Sequence, residues 1–169
     1  MPHRTGKERY EHRDPMREGF GTLTLFEDEP AEYVIPALQE GPYDQAFDEI
    51  ELLGFPLCSP FDLLQATPLG LTLAREMIGR AGSTVQMLGY YVARKHVTTV
   101  RKEHMNFGTW LDREGLFFDS THFPPSLARY PFRGKGIYRM TGKIVLDFGF
   151  PMLEVDEMEK LPMVKDERY

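Results

Sequence analysis

Residues 98–124, TTVRKEHMNFGTWLDREGLFFDSTHFP, decide the fold. A basic turn feeds an alternating strand, MNFGTWLD, and Asp112-Arg113-Glu114-Gly115 turns the chain into a second, aromatic-rich strand, GLFFDSTHF. Gly115 supplies the positive φ that such a turn needs. The unit reads as an antiparallel hairpin with cations at one end and rings along both strands.

More strands lie on either side. Upstream, VQMLGYYVARKHV (85–97) is rich in β-formers, with Gly89 where a coiled strand can bend. Downstream, PPSLARY makes one short helix. GIYRMTGKIVLDF then alternates, with Tyr138, Met140, Ile144 and Leu146 on one face and Arg139, Thr141 and Lys143 on the other. PMLEVDEM offers a fifth strand with Leu153 and Val155 inward. Five strands with a helical insert between the third and fourth match the OB-fold, a five-stranded Greek-key barrel, here over 85–157. Residues 1–41 read as a mobile lead-in, 42–84 as a helical connector, and 158–169 as an acidic tail. Within the connector, Tyr43, Phe47, Ile50 and Leu53 recur at helical spacing between Pro42 and Gly54. A second helix is expected over 68–79, capped by Thr67, with Leu73, Ala74, Met77 and Ile78 as its apolar face.

The chain has 169 residues and is 41% hydrophobic, enough for one domain with a buried core. Its formal charge of −6 argues against a protein that coats nucleic acid by bulk attraction. The charge is unevenly spread, however. Residues 85–145 hold ten lysines and arginines against four carboxylates, a formal +6, and the remainder holds ten against 22, a formal −12. Local charge is what a polyanion meets. Cys58 is the only cysteine, which excludes an internal disulfide and suits a reducing, cytoplasmic setting; burial as an inert thiol is expected. No apolar run approaches the roughly 20 residues that span a bilayer.

FDEIELLGFPLCSPFDLL (47–64), the stretch 85–124 and YRMTGKIVLDFG (138–149) together resemble the C-terminal region of the alpha subunit of bacterial DNA polymerase III. The positions that carry the resemblance are Gly89, Val92, Thr99, Met105, Phe107, Thr109, Asp112, Gly115, Phe123 and Pro124. It implies an OB domain behind a glutamate-rich helix, acting on single-stranded DNA in replication. Two departures are Ser59-Pro60, where the family often has histidine before proline, and Trp110 in place of leucine. The family's catalytic domains have no counterpart here. The chain therefore reads as a fragment or a separately encoded relative, with no polymerase activity to carry over.

OB-folds bind single strands on the face of strands two and three, between the loops that join strands one to two and four to five. The first loop, expected over 96–104, brings Lys95, Arg101, Lys102 and His104 toward phosphates. The second, over 147–151, carries Phe148 and Phe150, which either stack bases or plug the barrel end. Arg94, Asn106, Arg139 and Lys143 complete the candidate set. Trp110 is assigned to the core, with a bulge at Gly108 turning it and Phe107 inward together. Phe117 and Phe118 must straddle the two faces. His96, His104 and His122 lack metal-ligand spacing, the RGKG at 133–136 reads as a turn, and no catalytic constellation, metal or cofactor site emerges. Two functions remain open: a single-strand-binding module, or a module docking onto another polymerase domain or replication subunit, with DNA contact minor.

Overall fold

The computed structural model describes residue 37, residues 40–100 and residues 102–168. The strands are β1 (Thr84–Thr98), β2 (His104–Leu111), β3 (Phe117–His122), β4 (Ile137–Asp147) and β5 (Phe150–Lys160). They close a barrel in the order β1-β2-β3-β5-β4, antiparallel throughout except where β3 runs parallel to β5. The short helix Pro124–Arg129 lies between β3 and β4. This is the OB-fold topology, and β5 runs on to Lys160 with Met158 buried.

Inward positions fill the barrel with Val85, Met87, Trp110, Phe118, Met140, Ile144 and Leu153. Two glycines set its shape by close approach. A Cβ on Gly89 would stand 2.8 Å from Trp110 Cβ, and one on Gly142 would collide with the Glu154 carbonyl oxygen where β4 and β5 slip register. Gly108 has a different role from the expected bulge. The Trp110 indole folds back over it, so that a Cβ there would meet Nε1 at 2.7 Å. β2 stays regular, with Asn106, Gly108 and Trp110 inward and Phe107 on the opposite face. The bulge sits instead in β1, at Val92 between Tyr91 and Ala93. One extra residue reverses the side on which every later side chain lies.

The core includes one polar relay. Trp110 Nε1 donates to Ser120 Oγ at 2.6 Å, and Ser120 Oγ lies 2.8 Å from His122 Nε2. Ser120, His122 and Asn106 are all buried. Burial holds His122 down to about 4 from an ordinary 6.5, because it penalises the imidazolium.

Before the barrel, the helix Asp44–Leu53 ends at Gly54, whose φ of 84° and N–H bond to the Ile50 carbonyl form a left-handed cap. Only Ala46 of this helix is buried, while Tyr43 and Leu53 stay exposed. The expected helix over 68–79 is not formed. Two of its early N–H groups are held from outside the segment: Thr72 N–H reaches the Gln86 carbonyl and Ala74 N–H reaches Asp112, both at 2.9 Å. Two 3₁₀ turns, Ala74–Glu76 and Ile78–Arg80, take its place; Met77 enters the core and Ile78 faces solvent. Phe61 and Leu64 cover Leu88, Tyr90 and Ile137 on the outside of β1 and β4. The tail returns along this connector, with Val164 N–H bonded to the Leu63 carbonyl and Arg168 bridging Asp48 at 2.7 Å. Cys58 is exposed, contrary to the expected buried thiol, because the turn at Ser59-Pro60 buries Pro60 and Phe61 instead. No described helix is long and apolar enough to cross a membrane.

Candidate nucleic-acid interface

Outward side chains form rungs across the barrel wall. One rung runs Lys95, Phe107, Thr121, Glu154, Lys143, each opposite the next in the strand register. The neighbouring rung is Ala93, Thr109, Asp119, Met152, Val145. Thr109 Oγ1 donates to Asp119 Oδ1 at 2.7 Å, which fixes the carboxylate against the sheet. Because the barrel is closed the rungs wrap around it: Lys95 lies beside the half-buried Phe107, Thr121 is buried, and Lys143 lies on β4 opposite Thr84, eleven residues from Lys95 along β1.

Two residues further back along β3 and β5, Phe117 and Phe150 are 66% and 75% exposed. Phe148 lies in the β4–β5 turn, two residues before Phe150. With φ values of 48° and 86°, Phe148 and Gly149 make the two-residue turn that matches strand twist. Left-handed backbone costs a non-glycine residue roughly 1–2 kcal/mol, and Phe148 bears it with its ring 97% exposed. Asparagine would suit the backbone better, and a polar residue the solvent. Neither ring plugs the barrel end.

The first loop is tighter than expected. β1 and β2 continue as a ribbon to Thr98 and His104, leaving only residues 99–103 as the turn. Thr99 N–H bonds the Glu103 carbonyl at 2.8 Å, and Lys102 takes a φ of 63°. Lys102 and His104 are exposed there, while Arg101 lies outside the described residues.

The remaining candidates scatter. Asn106 is 1% exposed and points into the barrel, so a strand on the outer wall cannot reach it. Past the Val92 bulge, Arg94 swings over the barrel end, its guanidinium 5.1 Å from the Phe132 ring centroid. Its side chain stays exposed there, on the opposite side of β1 from Lys95. Arg139 pairs with Glu159 at 2.6 Å on the β4–β5 wall, away from β2 and β3. Lys95 and Lys143 remain on the rung described above. Phe107 and Phe117 join the face from outside the candidate set; Phe107, expected inward with Trp110, is left on the outer side by the regular β2.

Cations spaced along a solvent-facing aromatic surface suit phosphates and stacked bases, with no donor–acceptor pattern deep enough to read a groove. Among the described residues no three His, Cys, Asp or Glu side chains gather to hold a metal ion. No protein-family model and no curated protein matches the chain. Among solved structures it is similar to the second OB-fold domain of replication protein A from Methanococcus maripaludis, at 13% identity and a TM-score of 0.37. That match covers 51% of this chain and 91% of that one.

Proposed function

We propose that the outer face of β2, β3 and β5 binds single-stranded DNA with little sequence preference, in replication. On this reading the chain is a relative of the C-terminal region of the bacterial polymerase III alpha subunit. The observation that carries it is the exposure of Phe117, Phe148 and Phe150, of which Phe148 alone also bears a left-handed backbone. Stacking contributes about 1–3 kcal/mol per base, which gives those rings a use.

Titration of the parent protein with labelled oligothymidylate at about 50 and about 200 mM salt tests the reading, since phosphate contacts release counterions. Affinity falls steeply between the two conditions, and duplex of the same length binds less well. Phe107→Ala weakens binding on the order of tenfold at either salt, and Lys95→Ala lowers the salt slope by about one. Salt-independent binding, or a preference for duplex, would sink the proposal.

The chain is also proposed to act by binding and not by catalysis. With Mg²⁺, Mn²⁺ or Zn²⁺ the purified protein incorporates no nucleotide and cleaves no strand, since two-metal chemistry needs clustered carboxylates. Activity that disappears on a single Asp or Glu substitution would reverse this. The second reading, protein docking, draws support from Leu52, Leu53 and Leu57, all exposed on the connector. Strand binding unaffected by changes on the β2–β3 face would favour it.

A further inference from the structure

A groove of about 600 Å³ opens where the connector meets the barrel. Its floor is formed by the buried rings of Phe61 and Tyr90, and its walls by Phe55, Leu57, Leu111 and Phe117, of which Phe55 and Phe117 are half exposed or more. That volume lies within the range of small-molecule sites, and it exceeds what a lone side chain fills.

The charges at its rim are unequal in effect. Asp112 is buried, and its carboxylate accepts the backbone N–H groups of Glu114 and Leu116 on one oxygen and of Ala74 on the other, each at 2.9 Å. Glu114 is tied to Arg75 at 3.0 Å. Both acids are therefore already engaged. Arg113 and Lys135 also line the groove, and among the described residues neither has a carboxylate partner. Lys135 is steered to the mouth by its bond to the Gly54 carbonyl at 2.7 Å. An aromatic slot with two unmatched cations at its rim fits a ligand that is flat at one end and anionic at the other.

Continuity identifies the ligand. Phe117 and Leu111 belong both to this groove and to the outer sheet surface, so a strand leaving that surface past Phe117 arrives at the slot. We propose that the groove takes one nucleotide unit of the bound single strand. Its base lies between Phe55 and Phe117, and its phosphate lies toward Arg113 and Lys135. The strand path rests on the binding face proposed above, whereas the slot itself holds a nucleotide without it.

Cys58 lines the same groove and is the only cysteine, so its reaction with a small maleimide reports occupancy. Oligothymidylate at ten times its dissociation constant slows modification by about tenfold, and millimolar deoxyadenosine monophosphate slows it as well. In the Phe55→Ala/Arg113→Ala double variant, anisotropy still detects strand binding but the protection is gone. A strand that binds the parent protein while Cys58 reacts at its free rate would overturn the groove and leave the face intact. Protection by the mononucleotide without any strand binding would uphold the groove and remove the face. A phosphate-free phenylalanine–leucine peptide that protects at lower concentration than the mononucleotide would assign the slot to a protein partner and overturn the proposal.

Discussion

Trp110→Ala loses about 3–5 kcal/mol of folding stability, the usual cost of deleting a fully buried large aromatic side chain. Trp110 has no exposed surface, packs edge-on against Tyr91 and Tyr138, and stacks on Phe132 with centroids 5.6 Å apart. Domains of this size have only about 5–15 kcal/mol in total, so the variant stands near the limit of folding. The loss has two parts. Removing the ring opens a cavity, and removing the indole N–H takes away the donor to Ser120. Trp110→Phe lies between the parent and Trp110→Ala, because it keeps a benzene ring in the core while losing the donor and three heavy atoms. Urea melts rank the three proteins: parent highest, Trp110→Phe lower by about 1–2 kcal/mol, Trp110→Ala lowest. A Trp110→Ala protein with parental stability and no DNA affinity would put the indole on the outside of the barrel.

The same residue shows how far the sequence can be read. Alternation over β4 and the glycine turn at 112–115 specify strands because each strand has one wet face and one buried face, a local property. Trp110 follows from that rule, and so does Phe107 on the other side. A glycine between them looks like a bulge, but Gly108 is small because an indole two residues away needs its space. That demand comes from the folded chain and has no local signature. The true bulge at Val92 has none either, and it decides the fate of two candidate cations: Arg94 turns over Phe132 and Lys95 turns out. Residues 68–79 have helical periodicity, yet the N–H groups of Thr72 and Ala74 find Gln86 and Asp112 first, so tertiary bonds override propensity. On the face, exposed phenylalanines are legible only in part. Alternation shows that Phe117 and Phe118 must separate, and the pairing of Phe118 with Trp110 across β2 and β3 shows which one meets water.

Stability falls as the pH drops from about 6.5 to about 4, because His122 stays neutral in the barrel while the unfolded chain takes up a proton. Above pH 7 both states hold a neutral ring and the term vanishes. Below 6.5 the unfolded state gains the proton first, and the penalty grows until the folded ring also titrates near 4. Over that window it reaches about 3 kcal/mol. The geometry explains why the ring resists. Ser120 Oγ accepts the Trp110 N–H, lies 2.8 Å from His122 Nε2 and 3.4 Å from the Gly108 carbonyl, and His122 Nδ1 is buried with no hydrogen-bond partner among the described residues. An imidazolium carries a hydrogen on both ring nitrogens, and the one on buried Nδ1 meets no acceptor among the described residues. Phe132 packs on the ring at 4.6 Å and helps exclude water from it, and that loss of solvation is what disfavours the charged form. Melts of the parent and of His122→Gln between pH 7.5 and 4.5 isolate the effect, since glutamine does not titrate and every other group is shared. The gap between the two curves changes by about 2–3 kcal/mol across the range, with the parent losing ground toward acid. Parallel curves would mean that the His122 ring exchanges protons with solvent in the folded barrel, and the relay through Ser120 would fall with it.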